Sequence, residues 1–457
     1  MTNQKAALNP IWLTMLVAAA CLGAPQRGFA QDNSLFGSVE TSVTDSIAGG
    51  NAQTSSVAGL APYGQILSGG VKAHLIERST FADGELYIDD TLAWLGGSDG
   101  GMLSNTLAQG YIAVSPLPEL TVVVGKRRIS WGAGYAFFPG DLINPPASPD
   151  NRSTGFSGIL ATIAPSASFT LTAAVRFDTA FPELATLSGF TPTVAGIAPS
   201  SLPFLAAYLQ SVPDNPWLSL RYVLYADMLF GNLDLYAAST YQYNSVLRPA
   251  AGFSIDLGGV IANGELAVEF SNSSLYPAAS SAAFARPALG TPFPIFTVGL
   301  QRTVTSDAGS YAITAEYLYD GTGYTAAQEA TVSGDLLQAF SALGGSASVA
   351  KLRAEYASAD ASSSAWFSSG SVLPAFGRHY AAVSLSASAG NAFEATAAGL
   401  VNLQDGSFAV QPELRLRWQS GVDLFARAVA AWGPNDNSEF GLLPTPVTVT
   451  TGAVVHF

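Results

Sequence analysis

The 457-residue chain is short of charge, thiols and imidazoles, and each shortage closes off a class of function. Asp, Glu, Lys and Arg make up 11% of it, where about 25% is usual for a soluble globular protein. A single cysteine, Cys21, stands near the N-terminus, so the chain holds no internal disulfide framework. His74, His379 and His456 are its only histidines and lie far apart; with no thiolates beside them they suggest no metal site and no metal cofactor. Basic residues number 19 against 33 acidic ones, a balance that argues against nucleic-acid binding. No run of 18 apolar residues follows the N-terminal region, which leaves no candidate for a transmembrane helix.

The N-terminus reads as an export signal. Ile11 to Gly23 is apolar and uncharged, Lys5 precedes it, and the small-residue site Gly28-Phe29-Ala30 follows. This pattern predicts a signal peptide over 1–30, cleaved after Ala30. A membrane anchor is the alternative, but the run is short for a span. A lipoprotein signal at Cys21 is another, with Ala18 where Leu is usual. Loss of Lys5 and Arg27 would take the 19 basic residues to 17, against the same 33 acids, and remove the only cysteine. An exported, apolar-rich chain without spanning helices points to a closed barrel, because in lipid only helices and closed barrels satisfy every backbone group. Residues 31–457 are then one barrel domain. Its first part, 31–66, holds the first strand and has the length of a small hatch.

What the chain has in abundance is alternation with period two, the mark of strands with one apolar and one polar face. In Phe408–Trp418 one face carries Phe408, Val410, Pro412, Leu414, Leu416 and Trp418, and the other Gln411, Glu413, Arg415 and Arg417. The same reading sets Tyr222 and Leu224 against Arg221 and Tyr225, Leu235 against Asp234 and Tyr236, and Leu266 and Val268 against Glu269. It also sets Ile313, Tyr317 and Tyr319 against Glu316 and Asp320. In a membrane barrel the apolar face meets lipid and the polar face meets the lumen.

Every second connection between these segments is short, and each long one falls in the other register, which also holds the tight turns Asn244-Ser245 and Asp405-Gly406; barrels with short periplasmic turns and longer external loops read this way. Working back from the C-terminus, Gln419–Gly421, Ala389–Ala392, Ser306–Gly309, Gly259–Gly264, Met228–Asn232, Pro165–Ala167 and Leu117–Glu119 are short. The pattern gives an all-β, antiparallel up-and-down transmembrane barrel of about 18 strands, within a range of 14 to 18. The longest external loop covers 321–377, with a short helix expected over Ser333–Gly344; another is expected over Ser201–Val212. The last segment, VTVTTGAVVHF, alternates and ends in Phe457. It resembles the C-terminal signal of outer-membrane proteins, which is read by the barrel-assembly machinery.

Residues 107–145 contain Gly125-Lys126, Trp131-Gly132, Gly134, Pro139, Asp141 and Asn144-Pro145. This segment resembles a motif of Gram-negative porin-like barrels, G-[KR]-x4-W-G followed by P-x-D-x-x-N-P. The resemblance implies an outer-membrane barrel that forms a channel, and no particular cargo. Physically, Gly132 and Gly134 permit unusual backbone angles, and Trp131 with Phe137 and Phe138 gives the loop apolar packing of its own. Two placements remain open: tucked into the lumen, or packed on the rim.

The candidate pore-lining residues are Arg127, Asp141, Arg221, Arg248, Glu316, Glu413, Arg415, Arg417 and Arg427. Arg127 is expected to face the lumen, with Lys126 and Arg128 pointing outward toward lipid phosphates. Arginines facing loop carboxylates would set a transverse field across a constriction; paired with wall carboxylates they would instead be structural. The leading function is passive diffusion of small solutes through a lumen lined by charged residues. The alternative is a substrate-specific uptake or export barrel for hydrophobic or exporter-delivered cargo. An enzyme is disfavoured, since no Gly-x-Ser-x-Gly frames the serines near His379. Expected partners are outer-membrane lipid and lipopolysaccharide, the assembly machinery and a small solute, with self-association into a homo-oligomer left open.

Overall fold

The computed structural model describes residues 32–48, 64–143, 155–177, 220–242, 246–270, 276–277, 284–331, 377–434, 438–440 and 447–456, apart from positions 82, 98–99, 130, 286, 289, 308, 391 and 420. The expected signal peptide, Asn144, Pro145, Phe457 and the helices expected at 201–212 and 333–344 lie outside these residues. Of the segment 31–66, residues 32–48 and 64–66 are strand and 49–63 lie outside.

The strands are β1 (Asp32–Ala48), β2 (Gly64–Phe81), β3 (Gly84–Gly97), β4 (Gly100–Leu117), β5 (Leu120–Arg127), β6 (Phe156–Ser166) and β7 (Phe169–Arg176). There follow β8 (Arg221–Phe230), β9 (Leu233–Gln242), β10 (Val246–Asp256) and β11 (Val260–Phe270). A two-rung hairpin, β12 (Tyr276–Pro277) and β13 (Phe284–Ala285), stands apart from the main sheet. The series resumes with β14 (Pro292–Ser306), β15 (Gly309–Asp320), β16 (His379–Ala389), β17 (Phe393–Asn402), β18 (Phe408–Gln419), β19 (Val422–Trp432) and β20 (Val447–His456). Each main-sheet strand pairs antiparallel with its neighbours, and β1 pairs with β20 from Ser38↔His456 to Ile47↔Val447. The 18-stranded sheet therefore closes on itself as a barrel, with no free edge.

Register fixes which residues look outward. Val298, Leu300, Tyr311, Ile313, Val383, Leu385, Leu414 and Trp418 are among the many large apolar residues left exposed, and all lie on the outer face. In water such a surface would be an aggregation liability; facing hydrocarbon it is the stable side. A strand of 10 to 12 residues, such as β9 or β15, is about 35 Å long, and tilted by about 45° it crosses an apolar band of about 25 Å. Strands β1, β2 and β4, with 17 or 18 residues, are about 20 Å longer than that and rise past the band.

One end of the barrel carries short turns. Gly231-Asn232 joins β8 to β9 with Gly231 at φ +62, a left-handed angle that glycine adopts without steric cost, and the Asn232 amide donates to the Asp256 carbonyl at 2.7 Å. At the next turn the Asp256 carboxylate accepts the Gly258 and Gly259 amides at 2.9 and 3.0 Å. The other end carries all the long connections together with short ones after β3, β9 and β17, and the long connection after β15 begins with a helix at 326–331. Its start is a reciprocal cap: the Gln328 amide donates to Thr325 Oγ1, and the Thr325 amide to Gln328 Oε1.

Candidate functional site

After β5 the chain bends into the barrel instead of away from it. Residues 131–143 form a strap across the interior, so of the two placements open to the sequence it takes the lumen. Phe137, Leu142 and Ile143 have no exposed surface, and Trp131 is nearly as buried. The ring of Trp131 lies parallel to Tyr225 at 4.5 Å, and Tyr225 stacks on Tyr236 at 5.5 Å. Trp131, Leu142 and Ile143 pack with inward residues of β4 to β11, including Val123, Leu160, Val223 and Ala267. Phe137 belongs to a second cluster, with Ile295, Leu318, Tyr380 and Leu400 of β14 to β17. The strap thus spans from one wall to another.

A segment with no ladder of its own must find partners for its backbone groups once it leaves water. Two wall carboxylates supply them. Glu265, on β11, accepts the amides of Gly134 at 2.8 Å, Gly140 at 2.7 Å and Ala133. Glu316, on β15, accepts those of Tyr135 at 2.7 Å, Ala136 and Phe137 at 3.1 Å. The carbonyls are met by donors: Asn263 Nδ2 reaches Ala133 O at 2.6 Å, Arg248 Nη2 reaches Pro139 O at 3.2 Å, and Arg176 Nη1 reaches Ile143 O at 3.2 Å. Asn263 also donates to Glu316 at 3.1 Å, tying the two anchoring strands together. Glu265, Glu316, Arg176 and Arg248 are all at or below 5% exposure.

This seat explains two glycines of the strap, Gly132 of the sequence motif and Gly140 beside it. Gly132 has φ +99, and a Cβ there would stand 2.6 Å from Glu265 Oε1. At Gly140 a Cβ would meet the Tyr236 hydroxyl at 1.8 Å. A side chain at either position would hold the strap off the wall.

A second insertion comes from between β19 and β20. Glu439 is 1% exposed and accepts from the Tyr380 hydroxyl and from Asn402 Nδ2, both at 2.9 Å. Its own amide donates to Asp405 at 2.7 Å. Phe440 joins the apolar cluster that contains Phe137, so two loops meet over the same part of the interior.

The opposite part of the interior, lined by β18 to β20 and β1 to β3, is different. Here several inward side chains are basic and open to water: Arg417 is 58% exposed, Arg78 56%, His456 49% and Arg427 41%. They pair with carboxylates of the same wall. Arg427 lies 3.1 Å from Glu413, Arg415 3.3 Å from Glu413 and 3.8 Å from Asp423, and Arg417 4.0 Å from Asp423. His456 and His74 stand 3.2 Å from Asp423 and 2.6 Å from Asp89. A cavity lined by Arg415, Arg417, Glu394 and the serines Ser386 and Ser388 opens at the short-turn end.

The sequence candidates therefore divide. Glu413, Arg415, Arg417 and Arg427 share the open wall. Arg127 turns inward over the ring of Tyr111, with its guanidinium 4.9 Å from the centroid. Glu316 and Arg248 lie beneath the strap and hold it, and Arg248 also faces Glu269 at 3.6 Å. Asp141 is in the turn of the strap, where its amide donates to Phe138 O at 3.0 Å. Arg221 is at the long-loop end, in register with Arg176 and Gln242. One open pairing is decided and one expectation needs correction. The arginines of β18 and β19 are met by Glu413 and Asp423 of their own wall, the structural pairing of the two left open, because the same two strands carry both signs of charge. Lys126 is 8% exposed, and its ammonium returns to the Leu107 carbonyl at 2.6 Å, which leaves it no reach toward a lipid phosphate. The sequence reading missed Glu265, Asn263, Arg176 and Glu439. For Glu265 the signal was present, since it shares the parity of Ala267 and Glu269 on β11.

No family model matches the chain, and no curated protein does. Its fold is similar to solved structures. The crystal structure of OccAB1 from Acinetobacter baumannii aligns with TM-score 0.52 and 13% identity, over 94% of this chain and 98% of that one. A BenF-like porin from Pseudomonas fluorescens Pf-5 aligns with TM-score 0.50 and 10% identity, over 94% of this chain and all of the other. At such identities the likeness is one of fold.

Proposed function

We propose that this protein is an outer-membrane channel through which small polar solutes diffuse passively, along the charged wall that the strap leaves free. One observation carries the reading: the exterior of a closed barrel is apolar, while inward-facing arginines on β18, β19 and β2 keep about half of their side-chain surface in contact with water. Charges on an interior wall remain solvated only where that interior holds an aqueous path. An 18-stranded ring is wide enough for one, and a loop folded across it makes the passage narrow. The similarity in fold to a BenF-like porin supports the same reading. In this arrangement the short turns face the periplasm and the long connections face outward, with the leader at 1–30 directing export and Phe457 directing assembly.

A substrate-specific uptake or export barrel is the second reading, and the strap favours it. A loop held by six amides on two carboxylates keeps a fixed outline, which suits discrimination between solutes better than a mobile one. Planar-bilayer recording with pure refolded protein tests the channel itself: we expect discrete conductance steps, and a silent bilayer would overturn it. Liposome swelling with sugars and organic acids of matched size separates the two readings, since a general channel ranks solutes by size alone.

A further inference from the structure

We infer that Glu265 and Glu316 are positioning residues that set the width of the pore, acting as paired anchors for the strap. The inference rests on the channel reading above and adds to it the device that fixes the aperture. The two carboxylates divide the work. Glu265 takes amides from both limbs of the strap, Ala133 and Gly134 on one side and Gly140 on the other. It thereby pinches residues 133–140 into a closed turn around one side chain. Glu316 takes the three amides at the tip, Tyr135 to Phe137, and so fixes how far the tip reaches across. They stand on different strands, β11 and β15, one on each side of β14. With both in place the strap can neither swing nor lift.

Chemistry explains why acids occupy these positions. Every oxygen of both groups faces N–H donors, with Asn263 adding a further one to Glu316. Only a carboxylate offers acceptors on both of its atoms, and such charge-assisted bonds are about twice as strong as neutral ones. A glutamine keeps the shape but presents an NH2 group to a donor, so the substitution replaces attraction by repulsion on one side. Apolar packing around Trp131 and Phe137 holds the strap against the walls. It is non-directional and leaves the tip free to slide; the anchors supply the direction.

The test uses the full mature barrel with Glu265→Gln, Glu316→Gln and the double variant, checking folding by heat-modifiable migration in detergent gels. In bilayers each single variant is expected to raise single-channel conductance by about twofold and to admit larger neutral polymers, as a wider constriction must; the double variant should do so more strongly. A second readout does not depend on current. Leu142, near the end of the strap, is wholly buried against the wall, so the thiol of Leu142→Cys should resist a maleimide in the parent barrel and react at least about tenfold faster when both anchors are changed. Folded anchor variants with parental conductance, parental polymer cut-off and a protected thiol overturn the inference. If the double variant fails to fold, the two single variants decide it on the same readouts. If no variant carries current, even one with residues 131–143 replaced by a short Gly-Ser turn, the channel reading falls. Thiol reactivity then judges the anchors alone: rapid labelling upholds them, and continued protection refutes them.

Discussion

At the scale of single residues, the same chemical type does opposite work on the two sides of the barrel. Arg248 is 3% exposed and faces the buried Glu269. Removing one member of such a pair strands the other in a dry place, at a cost of about 3–5 kcal/mol. Arg248→Met should therefore lower the unfolding temperature of the barrel in detergent by a margin that differential scanning calorimetry resolves easily. Arg427 faces Glu413 at 3.1 Å but is 41% exposed, and water-screened pairs contribute no more than about 1 kcal/mol. Arg427→Gln should leave that temperature nearly unchanged and shift the reversal potential in a salt gradient toward cation preference. An equal thermal loss in both variants would show that the two walls are not distinct. Glycine marks the seat of the strap in the same local way. Gly140→Ala would drive a methyl against the Tyr236 hydroxyl, whose ring is held by stacking on Tyr225. The strap should lift, and conductance should rise without loss of the barrel.

At the scale of elements, strand identity rests on parity and so tolerates no slip. On β18 the outward series Leu414, Leu416, Trp418 alternates with the inward series Glu413, Arg415, Arg417. One extra residue inserted after Val410 would turn Glu413, Arg415 and Arg417 to lipid, where a basic group near the midplane costs about 2–4 kcal/mol and an acidic one less. Such a chain is expected to give no heat-modifiable folded band, whereas an insertion in the turn at 420–421 should be accepted. This parity is why the strands were readable: all five alternating segments singled out in the sequence keep their assigned faces, and the register of β8, β9, β11, β15 and β18 follows it. Short helices are less legible. The one described at 326–331 begins at the Thr325–Gln328 cap and is not among those expected, because cap chemistry and not a periodic apolar face sets its start; the segment 333–344, where apolar spacing predicts a helix, lies outside the described residues.

At the scale of the whole molecule, closure divides the interior into two regimes. One side is sealed by the strap and by Glu439 with its partners; the other keeps its charges wet. Arg415 and Arg417 lie beside a cavity at the short-turn end, where their charge meets any solute leaving on that side. Reversing both to Glu should shift the reversal potential measured in a salt gradient strongly toward cations while leaving polymer cut-off unchanged, since the strap and not this mouth sets the width. A cut-off that moved with the charge would relocate the constriction. The sequence by itself determined the barrel, a strand number between 14 and 18, and the inward and outward faces of its alternating segments, because lipid on one side and water on the other impose a rule that each residue obeys independently; the pairing of β1 with β20 fixed the number at 18. It did not determine where 131–143 would lie, nor that Glu265 and Glu316 would hold it. Those contacts join positions more than 120 residues apart, and only closing the ring brings β11 and β15 beneath the loop that follows β5.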